Sequence, residues 1–311
     1  MAWLNNYYLQ VLTFMAINGL LGLSVYLPLS TGQLTLGNAG FMLLGAYTSA
    51  LLSLKAGWPI WLSAPTGALL AAAVAVPLGY ACLRLRGVYL AIATLGFTQS
   101  LVVVANNLPL TGGALGLKEI PHMGTLVQRW LRAHLEEAPL GLTFGQAANT
   151  LVLLLVAGVL ALAVAFVMRQ ASSRTGRAYT AVRTDEVAAG AMGIHTTYYK
   201  VLAFAQGALL AGLAGAISAH FTYYIGPGDF GFSRAVEMLV VVVVGGTGVP
   251  LGPVLGAGIL MALSEGLRDL KDYRLILYGA LMMAMVLLRP QGILTPGLLQ
   301  FRRTGRKGAA A

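Results

Sequence analysis

Arg234 and Glu237 stand three residues apart in the stretch FSRAVEMLVVVVVG, a spacing that puts a guanidinium and a carboxylate on one helical face. Such a pair can serve as an ion pair at a membrane interface or as a gate that faces a substrate. Glu265 is the other carboxylate inside an apolar run. Beyond these two acids the apolar stretches are almost free of ionisable chemistry. Residues 1–54, 56–83, 87–117 and 138–168 contain no Asp, Glu, Lys or Arg, and 201–228 adds only His220. A carrier driven by protons or sodium needs buried groups that titrate or ligate the ion, so a stand-alone secondary transporter or channel is the weaker reading. An intramembrane enzyme is weaker still, because the chain has no H-E-x-x-H, no G-x-S-x-G and no pair of neighbouring histidines. It also lacks the G-x-x-x-x-G-K-[ST] loop that cradles phosphates, so no ATP site of its own is expected. Cys82 is the sole cysteine, which excludes an internal disulfide and a multi-cysteine metal site. No catalytic residue, metal or cofactor is therefore expected.

The elements that must position these few polar groups are set by composition. Of 311 residues, 58% are hydrophobic and 10% charged, and the mean hydropathy is +0.77. No soluble surface accommodates that. The expected fold class is all-α, a polytopic membrane helix bundle forming one transmembrane domain over 1–311. A helical span needs roughly 20 apolar residues. Cutting at charges and turn residues gives spans near 9–30, 38–54, 59–82, 87–108, 149–168, 201–225, 235–250, 252–267 and 275–289. Nine is the expected count; eight follows if 235–250 and 252–267 form one long broken element. The start MAWLNNYY carries no Lys or Arg, so the first run reads as a retained span rather than a signal peptide.

The net charge of +10 is a topology signal rather than a mark of nucleic-acid binding, because the basic residues lie between apolar runs. They collect at Arg84 and Arg86, from Arg169 to Lys200, and in a basic tail over 290–311. These segments are expected in the cytoplasm, which places the N-terminus outside and the C-terminus inside. The opposite side then carries a loop over 109–148. Within it Met123, Leu126, Val127, Trp130, Leu131 and Leu135 recur at helical spacing, an interfacial helix, with Arg129 and Arg132 off that stripe. Gly19/Gly22, Gly37/Gly40 and Gly252/Gly256/Gly258 suit close helix packing in lipid. Ser30–Gln33 and Gly245–Pro250 are candidate helix breaks, where freed backbone must face protein or water.

The cytoplasmic stretch 169–200 has the composition of a docking segment. A short helix is expected from about Thr184 to Met192, with Asp185 and Glu186 in its first turn, where they complement the helix dipole, and a stop at Gly193. The order E-V-A-A-G-A-M-G at 186–193 resembles the coupling segment of ABC-transporter permeases. Further stretches resemble the M-type permease of branched-chain amino acid ABC transporters: TGQLTLGNAGFMLLGAY at 31–47, LRLRGVYLAIATLGF at 83–97, TGGALGL at 111–117, GRAYTAVRTDEVAAGAMGI at 176–194, KVLAFAQGALLAGLAGAISAH at 200–220, VEMLVVVVVGGTGVPLGPVLGA at 236–257 and RPQGIL at 289–294. The turn GGTGVPLGP departs from the pattern at Val249-Pro250, and 118–147 has no counterpart in it.

The resemblance implies a permease subunit of an importer in the cell inner membrane. Its partners would be a sister H-type permease, two cytoplasmic ATPases that bind the ATP, and a periplasmic or lipid-anchored substrate-binding protein. Arg177, Asp185, Glu186, Ala188, Ala189 and Gly193 would then carry ATPase coupling, and Arg129 and Arg132 are the candidate contacts for the binding protein. For the pathway or gate the available polar groups are Gln33, Asn38, Thr94, Gln99, Asn106, Thr111 and Glu237, each of which could equally satisfy backbone or a neighbouring helix. Branched-chain or other hydrophobic amino acids are the implied substrates, with amides, urea or sugars as the alternative within the same superfamily.

Overall fold

A computed structural model describes residues 6–82, 85, 87–134 and 143–266, together with isolated positions at 276, 279, 280, 283, 293 and 294. Arg84, Arg86, Leu135, the loop 268–274, most of the expected span 275–289 and all of the basic tail except 293 and 294 lie outside the described residues. Those that are described form eleven α-helices: α1 (Asn6–Leu29), α2 (Asn38–Lys55), α3 (Ile60–Cys82), α4 (Val88–Asn107), α5 (Met123–His134), α6 (Phe144–Ala171), α7 (Arg174–Thr184), α8 (Glu186–Ala191), α9 (Thr196–Thr222), α10 (Phe232–Gly245) and α11 (Gly252–Gly266). Eight of them fall on the first eight expected spans.

Five helices, α1, α3, α4, α6 and α9, are long and apolar enough to cross a bilayer, which makes the chain a multi-pass membrane protein. Their apolar windows differ in how much they bury: 72% in α1 and 67% in α9, against 39% in α3, 33% in α4 and 22% in α6. Thus α1 and α9 form the centre, and α3, α4 and α6 turn broad apolar faces outward, as a lipid or membrane-subunit environment requires. At the centre α2, α3 and α9 approach backbone to backbone. A Cβ on Gly45 would lie 2.0 Å from the Gly212 carbonyl oxygen, and one on Gly67 would lie 2.6 Å from that of Gly45. Only glycine allows this contact, and in lipid such contact replaces the hydrophobic drive to pack.

The stretch 235–267 is not one broken element. α10 and α11 fold back on each other, with Gly245 against Gly252 and Gly256 against the Val241 carbonyl. At 14 and 15 residues they are about 21 and 22 Å long, shorter than the roughly 30 Å hydrocarbon layer. The shortness has a local cause. After α9 stops at Tyr223 (φ 68°), the chain makes a single 3-10 turn at Pro227–Phe230, whose Phe230 ring packs 6.1 Å from Tyr47 in the middle of α2. The return to α10 therefore begins inside the bundle.

Within 169–200 the short helix expected at about 184–192 is present as α8, and a second helix, α7, precedes it. Asp185 adopts an extended backbone (φ −153°, ψ 112°) and divides the region into α7 and α8. The interfacial stripe on α5 divides as well: Leu131 packs against Ala147 and Ala148 of α6 and Met123 is buried in the main core, whereas Leu126 and Trp130 are exposed.

Candidate functional site

Two polar regions sit at different levels of the bundle. The first is an open cavity of about 620 Å³ between α1, α2, α9, α10, α11 and the Pro227–Phe230 turn. Asn18 from the middle of α1 and Arg234 and Glu237 from the first turns of α10 reach it, as does Asp229 from the turn itself. Arg234 Nη1 donates to Glu237 at 2.9 Å and its Nη2 donates to Asn18 at 3.0 Å. The i, i+3 pair expected from sequence is thus formed, and it is anchored to a second helix. Asp229 accepts the Gly226 amide at 2.8 Å, which orients its carboxylate at the cavity wall. Asp229 and Asn18 are missing from the sequence-based candidates. Asp229 sits in what looks like an ordinary extramembrane turn, and its depth follows only from how the Pro227–Phe230 turn dips toward Tyr47.

The remaining pathway candidates do not converge on this cavity. Asn38 is buried and donates to Ser24 at 3.0 Å, tying α2 to α1. Thr94 accepts the Leu36 amide at 3.0 Å, and Thr111 donates to the carbonyls of Ala105, at the end of α4, and Leu108. Gln99 and Asn106 are exposed on α4. Gln33 is buried at the other end of the bundle, beside a smaller cavity of about 200 Å³ that Arg183, Glu186 and Lys200 also line. Glu265 accepts a hydrogen bond from Tyr7, which joins the C-terminal end of α11 to the N-terminal end of α1.

That smaller cavity belongs to the second region, a corner built by α7, α8 and the start of α9. Ser173 caps α7, and Gln170, Tyr179 and Gln206 form a hydrogen-bonded cluster that fastens it to α6 and α9. Burial pushes the Tyr179 phenol well above its ordinary value, so it stays a neutral partner in that cluster. Arg183 packs over Gly32 and donates to the Thr247 carbonyl at 3.4 Å, so α7 touches both the α1–α2 turn and the α10–α11 turn. Asp185 is the N-cap of α8 and accepts from Val187 and Ala188 amides at 2.8 and 3.0 Å. Glu186 pairs with Lys200 of α9 at 2.6 Å. Ala189 is buried, Ala188 and Arg177 are exposed, and Gly193 stops the chain at φ +81°. Val187 and Met192, 74% and 85% exposed, are the apolar residues that sequence reasoning passed over here. A short amphipathic reading frame was too brief to reveal which face they take.

On α5, Arg129 is exposed and Arg132 lies over the Phe144 ring at 5.7 Å. His122 caps that helix, accepting the Gly124 amide on Nδ1 at 2.9 Å.

Residues 7–286 match the family described as branched-chain amino acid transport system / permease component. The high-affinity branched-chain amino acid transport system permease protein LivM of Escherichia coli K12 is 36% identical over 301 residues, covering 94% of this chain and 71% of LivM. LivM of Salmonella typhimurium LT2 is 36% identical over 282 residues, 88% of this chain and 66% of that protein. LivH, the corresponding permease protein of E. coli K12, is 24% identical over 278 residues, 85% and 86% of the two chains. No solved structure matches significantly. With a match over most of its length and greater identity to LivM than to LivH, the chain belongs to the branched-chain amino acid transport permease family and is of the M type.

Proposed function

We propose that this chain is one half of the translocation pathway of an ABC importer for branched-chain and related aliphatic amino acids, in the cell inner membrane. A sister permease would complete the pathway, two cytoplasmic ATPases would drive it, and a substrate-binding protein would deliver amino acids on the outer side. Nine spans, an outer N-terminus and a cytoplasmic C-terminus complete the arrangement. The permease moves its substrate and performs no bond chemistry.

The observation that carries this reading is the α7–α8 corner. It presents a short capped helix with exposed Val187 and Met192, and it connects inward through Glu186–Lys200 and Arg183–Thr247. An ATPase that grips the exposed face can bias the permease only if that grip differs between its states. The inward connections supply the route: one leads to the central helix α9, the other to the short α10–α11 hairpin bordering the large cavity.

The test uses the complete importer in liposomes. Glu186→Lys reverses one end of the ion pair, and Gly193→Pro requires φ near −65° where the chain needs +81°. Both are expected to abolish uptake and the ATPase stimulation by loaded binding protein while the permease remains in the membrane. The exchange Glu186→Lys with Lys200→Glu restores the pair and should recover part of the uptake. Normal uptake by both single variants would refute the coupling role.

A further inference from the structure

The large cavity holds a set of groups that neither a gate nor an interface ion pair requires. Arg234 spends two of a guanidinium's five donors on Glu237 and Asn18, and three remain. Asp229 lies on the same cavity wall, exposed, with one carboxylate oxygen held by Gly226. The same cavity has apolar walls from Phe14, Met42, Phe230 and Met261. A merely structural ion pair would close on itself. Here it borders about 620 Å³, a volume within the usual range for small-molecule sites.

We infer that this cavity is a transient station for the main-chain zwitterion of an aliphatic α-amino acid, with the carboxylate on Arg234, the ammonium on Asp229 and the side chain against the apolar walls. The inference rests on the importer reading and adds to it a place and a recognition chemistry. An α-amino acid displays opposite charges on neighbouring atoms, so a site for it needs a cation and an anion that share one space. A guanidinium suits the carboxylate because it donates two parallel hydrogen bonds. The companion Glu237 holds Arg234 in place and offsets its charge, so the empty cavity does not trap stray anions. Asn18 fixes the same guanidinium from α1, which makes the station sensitive to any shift of α10 against α1. Occupancy must be weak, because a passing solute has to leave as readily as it enters.

The experiment is saturation-transfer NMR on the complete importer in lipid nanodiscs, without ATP or binding protein. The probes are leucine, which has both charges, isoamylamine, which lacks the carboxylate, and isocaproate, which lacks the ammonium. Leucine should bind at least about tenfold more strongly than either analogue, the value of one charge-assisted hydrogen-bonded contact. The paired change Arg234→Gln with Glu237→Gln removes both charges together and strands neither. It should erase the preference for leucine over isoamylamine. Asp229→Asn, which keeps the side chain's shape, should erase the preference over isocaproate. Equal binding of all three probes to the unmodified importer, or a leucine preference that survives both changes, would overturn the station. ATP-driven leucine uptake by the same preparation separates the two readings. Uptake without selective binding removes only the station, and selective binding without uptake removes only the importer assignment.

Discussion

His220 has no exposed surface, yet each of its ring nitrogens has a partner that fixes its protonation. Nδ1 lies 3.0 Å from the Pro121 carbonyl, which can only accept, so Nδ1 carries the hydrogen. Nε2 is then the acceptor, and the Ser49 hydroxyl 2.9 Å away must donate to it. Ser63 and Ser53 extend the chain across α3 and α2, so every hydroxyl has one consistent direction. This single ring ties α9 and α2 to the segment before α5. The same segment is held again by the Leu117–Ile225 bridge and by the Ile120 amide on the Tyr223 carbonyl. Replacing His220 by Leu preserves bulk but leaves a buried carbonyl and a hydroxyl without partners, at a cost of about 2–4 kcal/mol. The expected outcome is a lower melting temperature in detergent, with His220→Gln losing less because its amide can still donate. An unchanged melting temperature for His220→Leu would show that the chain of hydroxyls contributes nothing.

At the scale of elements, α5 depends on a cap that titrates. Burial holds the His122 imidazole below its ordinary 6.5, with a backbone hydrogen bond at Phe221 opposing in part. Its Nδ1 accepts the Gly124 amide, and protonation would turn that acceptor into a donor. The folded form therefore binds the proton less readily than the unfolded form. The cap's contribution is complete above 6.5 and is lost as the pH falls through the depressed folded value. The protection of amides 123–126, taken relative to intrinsic exchange at each pH, should fall as the pH drops below the ordinary 6.5, and His122→Asn, which caps without titrating, should remove that dependence. The element also shows where sequence reading reaches its limit. Its helical spacing was legible, and so were eight other helices, five of them long enough to cross a bilayer, the short helix ending at Gly193 and the Arg234–Glu237 pair. The inward face of α5, the separate α7 and the depth of Asp229 were not. α7 contains Gly176 and Thr180, poor helix formers held by the Gln170–Tyr179–Gln206 cluster, and that cluster is a tertiary fact. Likewise, the buried Asn38, Thr94 and Thr111 are indistinguishable from pathway residues until their partners are known.

For the whole molecule, the outward apolar faces and the separation of polar ends must agree with one insertion in the bilayer. The α2–α3 turn, with Lys55 exposed, lies at one end, and the α7–α8 corner lies at the other. Three helices, α3, α4 and α6, connect them, and each is long enough to cross. Three crossings would put the two ends on opposite sides, and the proposed orientation assigns the arginine-rich corner to the cytoplasm. Ala56 and Ser172 are exposed positions at these ends. With buried Cys82 changed to Ser, Ala56→Cys should react with a membrane-impermeant maleimide in intact spheroplasts, whereas Ser172→Cys should react only after the membrane is opened. Labelling of both from the same side would mean that one of α3, α4 and α6 does not cross. It would also detach the α7–α8 corner from the cytoplasmic ATPases, because the face bearing Val187 and Met192 could no longer meet them.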